Sequence, residues 1–418
     1  MTTARRRGTA ALAVSAVLGT ALVTAAAPAA LAATTPSPSA VLPAGLYGTG
    51  DPTYDGVWRQ SLALLAQDTA GVRPARQAVD WLTAQSCANG AYPAYRTDTT
   101  GDCGPKSLPD TNATAAAVQA LAALGGRESA VEKSVTWLKS VQNADGGWSY
   151  NPGGASDANS TSLVIGALAA AGERPDGARS EGGKSPYDAL LTFARPCDDR
   201  EHAGAFVYQP EQPGIVGDST AAAVTAAAGK GLVVAPDTKS AKTGTEAAGK
   251  AAGCGPAKTL AEAAGNGAGY LAAALAKTGQ LLQPPLPGSS DPEPKPDFGT
   301  TADAVVALAA QGRAADARKA LTGLERDASG WAKESGPAAY AQLVLAAHAM
   351  GGDPRDFGGT DLVAALNATG PEPERASAAT GKADDSGSGA GTWWFAGALL
   401  AAAAGVGFLF TGRRRNRS

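Results

Sequence analysis

Trp137-Leu138-Lys139-Ser140-Val141-Gln142-Asn143-Ala144-Asp145-Gly146-Gly147-Trp148 is the most specific string in this chain of 418 residues. It opens on a helical stretch, and its two glycines permit a tight reversal of the backbone. Gln142 can satisfy backbone groups exposed at the end of that helix, and Trp148 can stack against its own repeat. Gln142, Gly146, Gly147 and Trp148 therefore read as residues that set an architecture and do no chemistry. Directly after them, Asp157-Ala158-Asn159-Ser160-Thr161 leads into an Ala-rich helix ending at Ala171-Gly172.

Working outward, both halves of this unit recur. The bulkier kind of helix returns at Val79-Asp80-Trp81-Leu82, Tyr187 to Phe193 and Leu321 to Arg326. The Ala-rich kind returns from Asp110-Thr111-Asn112-Ala113-Thr114 to Leu124-Gly125 and from Asp218-Ser219-Thr220 to Gly229, with weaker copies near Thr301-Ala302-Asp303 and Ser335-Gly336-Pro337. Asp, Ser or Thr before each suits an N-cap, and Gly after each suits a left-handed stop. No such pair can bury its apolar face alone, so neighbours must stack. The Ala-rich helix belongs on the crowded inside and the Trp/Leu helix outside. About six pairs fit between residues 55 and 370. The expectation is an all-α fold, an α/α toroid of about six hairpins, with loop insertions at 235–256 and 284–297.

The string at 137–148 resembles the QW motif of the prenyltransferase and squalene oxidase repeat families. These include triterpene cyclases, protein prenyltransferase β-subunits and corrinoid carriers. Degenerate copies are Trp81-Leu82 with Gln85 and Gly90-Ala91-Tyr92, then Gly204-Ala205-Phe206 and Gly330-Trp331. The resemblance covers most of 55–365 and is strongest over 76–172. It implies parallel inner helices whose preceding loops gather at one mouth. At that mouth would stand Asp110, Asn112, Asp157, Asn159, Asp218 and Asp303, with Tyr92, Tyr95, Trp148, Tyr150 and Tyr208 nearby. Helix N-termini facing one space attract a polar or anionic ligand, and aromatics add flat contact area. Plain N-capping is the competing role for each Asp, and core packing for each aromatic.

The catalytic strings of those families are missing. No Asp-x-Asp-Asp occurs, and where a prenyltransferase has Asp-x-Cys this chain has Asp110-x-Asn112, Asp157-x-Asn159 and Asp218-x-Thr220. His202 and His348 have no nucleophile at a suggestive spacing. No catalytic residue, cofactor or metal is therefore assigned. Cys87, Cys103, Cys197 and Cys254 lack close Cys-x-x-Cys spacing for zinc. Three disulfide pairings are open, and the simplest is Cys87–Cys103 with Cys197–Cys254.

Both ends concern export. Arg5-Arg6-Arg7, an apolar stretch from Ala10 to Val23 and Ala30-Leu31-Ala32 make a secretory signal over 1–32. Residues 33–54 form a lead-in loop and 371–391 a Gly/Ser/Pro-rich tether. Trp393 to Phe410 is uncharged and opens on two tryptophans, and Arg413-Arg414-Arg415 follows. This reads as one transmembrane helix, 392–412, with a cytoplasmic basic tail, 413–418. Seven of the 35 basic residues lie at these ends, leaving 28 bases against 38 acids, or −10, for the segment between. An acidic ectodomain without basic clusters excludes nucleic acid as a partner. The expectation is a cell-surface protein, anchored by a single span, that binds an unknown small molecule for uptake, with a membrane transporter as the partner such uptake needs. A divergent terpenoid cyclase or prenyltransferase-like enzyme and an envelope scaffold are the alternatives.

Overall fold

The computed structural model describes residues 43–236, 253–283 and 293–375. The export segment 1–32, most of the tether, the span 392–412 and the tail 413–418 lie outside the described residues, as do most of the two insertions. Among the described residues, no helix is long and apolar enough to cross a membrane. The chain divides into two units after Glu374, and the helices lie in the first.

The all-α expectation holds for this unit. Among the described residues there are twelve α-helices: α1 (Gly56–Thr69), α2 (Arg76–Ala84), α3 (Thr111–Leu124), α4 (Glu128–Ser140), α5 (Ala158–Ala170), α6 (Pro186–Thr192), α7 (Val216–Ala227), α8 (Leu260–Thr278), α9 (Phe298–Ala310), α10 (Ala314–Ser335), α11 (Pro337–Ala349) and α12 (Leu362–Asn367). The two strands β1 (Leu281–Gln283) and β2 (Lys295–Asp297) pair antiparallel, Leu281 opposite Asp297, and flank the second insertion.

The odd-numbered helices are inside. Each packs on the next odd-numbered helix, and α11 packs back on α1, so the six form a closed cycle. Each even-numbered helix packs on the inner helix that precedes it. Composition explains the division. α3 buries every residue from Ala113 to Leu121, which small side chains allow on all sides of a helix. α10 buries only Ala317, Ala320, Leu324, Ala328 and Ala332, the single stripe of a helix with one face in water. The expected stops are present: Gly125 and Gly172, after α3 and α5, have φ of 67° and 76°.

The cycle is sealed where its ends meet. Tyr47 is fully buried, and its hydroxyl lies 3.1 Å from both Gln67 Oε1 and the Pro371 carbonyl. Gln67 donates to Asn367 Oδ1 at 2.6 Å, and the Gly48 N–H donates to the Thr369 carbonyl at 2.8 Å. Both disulfides have the simplest pairing, Cys87–Cys103 and Cys197–Cys254. Closing separations of 16 and 57 residues restricts the unfolded chain by about 3 and about 4 kcal/mol respectively.

The QW string performs the mechanical role its residues suggest. Gln142 Nε2 donates to the Gly146 carbonyl at 2.8 Å, and the buried Trp148 donates from Nε1 to the Leu138 carbonyl at 2.7 Å. Gln85, in the copy before it, bonds instead to Arg96 beyond the turn, accepting from its N–H at 2.6 Å and donating to its carbonyl at 3.2 Å. One expected copy is corrected. Gly330 and Trp331 lie inside α10, where Trp331 packs on Phe298, because the helix runs unbroken from Ala314 to Ser335. The Gly-x-aromatic pattern occurs instead at Gly45-Leu46-Tyr47, and with Leu as the third residue at Gly279-Gln280-Leu281.

Gly146 combines φ of +91° with a position where a Cβ would stand 2.3 Å from the Ser185 carbonyl oxygen. Gly153 has nearly the same φ, +88°, with nothing within 4 Å. Gly153→Ala should therefore lose only the left-handed strain, about 1 kcal/mol. Gly146→Ala should lose clearly more, about 3 kcal/mol. Urea unfolding of both variants checks this, and equal losses would show that the approach to Ser185 is no constraint.

Candidate functional site

The loops that lead into α1, α3, α5, α7 and α9 are each pinned by one side-chain oxygen. Thr114, Thr161, Thr220 and Thr301 accept from the N–H groups of Tyr92, Trp148, Phe206 and Leu281 at 2.9, 3.1, 3.0 and 2.9 Å. In α1, Gln60 Oε1 accepts from the Tyr47 N–H at 2.8 Å. These bonds put five helices in one register. Two positions before the pinning residue stand Trp58, Asn112, Asn159, Asp218 and Gly299, and two positions after it stand Leu62, Ala116, Leu163, Ala222 and Asp303. Residues four apart share a helix face. All of them but Gly299 and Ala116 line a single cavity of about 240 Å³, which α11 completes with Gln342 and Leu345.

The segment after α7 forms the other end of this space. Gly231 packs on Gly166 of α5, and Pro236 lies beside Gly351 after α11, so the chain crosses from one side of the cycle to the opposite side. Gln119 holds it there, accepting from the Leu232 N–H at 2.8 Å and donating to the Leu163 carbonyl at 3.3 Å. Gly166 and Gly231 are required for this approach, since a Cβ on Gly166 would come within 2.6 Å of the Gly231 Cα.

Two carboxylates give the cavity its electrostatic character. Asp218 accepts a hydrogen bond from Asn159 Nδ2, and Asp303 accepts from Gln342 Nε2 at 3.2 and 3.4 Å. Burial pushes the Asp303 carboxyl up to about 7, reinforced by the charge of Asp218. Burial also raises Asp218, against the opposing hydrogen bond from Asn159 and with help from Asp297 and Asp157. Among the described residues, neither has an ion-pair partner. Three further polar atoms at this cavity are buried without a hydrogen-bond partner: Asn112 Oδ1, Asn159 Oδ1 and Ser162 Oγ.

The residues anticipated from sequence divide into two groups. Asn112, Asn159 and Asp218 line the cavity. Asp110 and Asp157 do not, because each is an N-cap, accepting from Ala113 N at 2.8 Å and Ser160 N at 2.7 Å. Burial holds the phenols of Tyr150 and Tyr208 above the usual range, reinforced by the caps Asp110 and Asp157 respectively. Tyr92 and Trp148 are fully buried in the core, and Tyr95 stacks on Trp81 with ring centres 6.4 Å apart. Tyr150 and Asp110 border a second recess of about 210 Å³ that shares Trp58 and Asn112 with the main cavity. Asp218 is no cap: α7 begins at Val216, which leaves its carboxylate in the first turn and free to face inward. Asp303 is likewise inside α9, whose cap is Asp297. Trp58, Ser162, Gln119 and Gln342 were not anticipated. The spacing from the pinning Thr or Gln identifies Trp58, whereas α11 has no such landmark to point to Gln342.

No family model matches the chain, and no curated protein sequence matches it. Among solved structures, the crystal structure of a sugar epimerase from a ruminal bacterium aligns with 68% of this chain and 80% of its own, at 15% identity and a TM-score of 0.37. A likeness of that degree carries no argument about function.

Asp303 makes a pH-dependent contribution with a defined sign. Its folded-state value is raised, so the folded protein holds a proton that the unfolded chain has released between about pH 4 and about pH 7. Wild-type stability from this group therefore falls as pH rises through that window and is flat above it. Asp303→Asn removes the carboxyl, so its stability relative to wild type should rise across the same window by a few kcal/mol. Urea unfolding at a series of pH values checks this, and a difference independent of pH would refute it.

Proposed function

We propose that this chain is an α/α toroid of the QW-repeat kind, exported and anchored to the cell membrane by a C-terminal span, that binds one small molecule in the central cavity. The observation that carries the reading is convergence. α3, α5, α7, α9 and α11 each place polar side chains in a single central cavity, and buried acceptors there lack partners. Buried polar groups are ordinarily satisfied, so a ligand supplies what the protein leaves out. A cavity of about 240 Å³ is below the range of drug-sized pockets, roughly 300–1,000 Å³, and favours a compact ligand over a triterpene. Disulfides agree with an exported domain. Uptake, with a membrane transporter as partner, follows from the tether and the binding role together.

A second reading is favoured by Asp303. A carboxyl poised near neutrality beside another carboxylate suits general acid–base catalysis on a small substrate. Asp157, an acid candidate from sequence, is occupied as the cap of α5, so Asp218 and Asp303 are the residues that an enzyme would use.

Native mass spectrometry of the full chain after incubation with culture extract tests the binding role. The expected result is a single small-molecule adduct that disappears in Ala222→Phe, which fills the cavity, while circular dichroism is unchanged. An adduct that survives Ala222→Phe, or none on the wild type, counts against it. Conversion of the captured compound, abolished by Asp303→Asn, would favour the enzyme instead.

A further inference from the structure

The polar groups of the cavity are one-sided. Three of its four amide groups already donate, Asn159 Nδ2 to Asp218, Gln342 Nε2 to Asp303 and Gln119 Nε2 to the Leu163 carbonyl, and among the described residues Asn112 alone keeps an unengaged amide donor there. What remains unengaged is largely acceptor. Asn112 Oδ1 and Asn159 Oδ1 are buried without partners, and the carboxylates of Asp218 and Asp303 each retain lone pairs. Ser162, only 5% exposed and at the cavity wall, has a hydroxyl with no partner at all.

The charge is one-sided too. The charge of Asp218 adds to the cost of ionising Asp303, and among the described residues neither carboxylate has an ion-pair partner. Lys230, also at the cavity, is solvent-exposed and does not act on either. Buried charges are ordinarily paired. The remaining wall is apolar, with Leu62, Leu163, Val306 and Leu345, and Trp58 offers an aromatic surface.

We propose that the ligand is a small primary ammonium compound, its charged group held by Asp218 and Asp303 and its short hydrocarbon body lying against the apolar wall and Trp58. This rests on the reading of the cavity as a ligand site. A primary ammonium has three donors and no acceptor, which matches a site of unpartnered acceptors. A quaternary ammonium has the charge without the donors, an alcohol has a donor without the charge, and a carboxylate has the wrong charge. The indole of Trp58 adds cation–π attraction. A cavity of about 240 Å³ takes a compact hydrocarbon body, since an apolar cavity of about 150 Å³ already holds a benzene ring.

Calorimetric titration of the full chain in detergent tests this with n-butylammonium, tetramethylammonium, n-butanol, butyrate and calcium chloride at matched ionic strength. Butylammonium should bind. Tetramethylammonium and butanol should bind about tenfold more weakly or worse, butyrate not at all, and calcium no better than sodium. Asp303→Asn and Asp218→Asn should each weaken butylammonium by about tenfold or more. Butanol or calcium binding as tightly as butylammonium, butylammonium failing to bind, or unchanged binding in both Asn variants would overturn the proposal. The probe ranking on wild type stands even if a variant fails to fold. Butanol binding that Ala222→Phe abolishes would retain the cavity as a ligand site while removing the ammonium.

Discussion

A backbone N–H in five of the six entry loops, donated to a Thr hydroxyl or Gln carbonyl on the following inner helix, is the constraint on which the rest depends. The donor belongs to a large apolar residue, Tyr47, Tyr92, Trp148, Phe206 or Leu281, so each bond is formed as that side chain enters the core. A buried N–H without a partner costs about 1–3 kcal/mol, which makes the bond hard to do without. It also fixes rotation. With the Thr turned toward its own loop, the residues two before and two after it turn to the centre. The same bond thereby anchors the outer wall of each repeat and aims the lining of the cavity.

Small residues make that lining possible. Ala-rich inner helices pack closely all round, so little space is left along the axis, and what remains lies beside the first three turns of the helices. The segment 229–236 then closes the other end. Its passage depends on the Gly166–Gly231 contact, where two backbones meet with no side chain between them.

Much of this architecture is legible in the sequence. The alternation of Ala-rich and Trp/Leu helices, their inner and outer places and the glycine stops all follow from local chemistry, because each is decided within a few residues, whereas three cysteine pairings stay open in the sequence and the structure has the simplest. The copies at Gly45–Tyr47 and Gly279–Leu281 are less legible. The first stands before any helix that would announce it, and the second has Leu where the others have a ring. The cavity residues are harder still. Asp110 and Asn112 are two positions apart, yet rotation of about 200° sends one to cap the helix and the other to the centre. An Asp-x-Asn string does not say which member faces inward; only the register set by Thr114 does. Asp218 looks like the third member of the Asp110 and Asp157 series, but α7 starts two residues before it, and it joins the Asn series instead.

That shift concentrates charge. Where α3 and α5 present Asn112 and Asn159, α7 presents Asp218, and α9 adds Asp303 one turn deeper. A carboxyl pair in this cavity opposes folding. The disulfide Cys197–Cys254 encloses the whole of α7, tying the loop after α6 to the start of α8. Asn266 of α8 donates to the Gly255 carbonyl at 2.7 Å, and Gly204 lies against both Cys254 and Asn266. On the other side, Asp297 caps α9 and Gln342 of α11 reaches Asp303. Among the described residues neither acid has an ion-pair partner, and that unbalanced charge is a property a ligand can recognise.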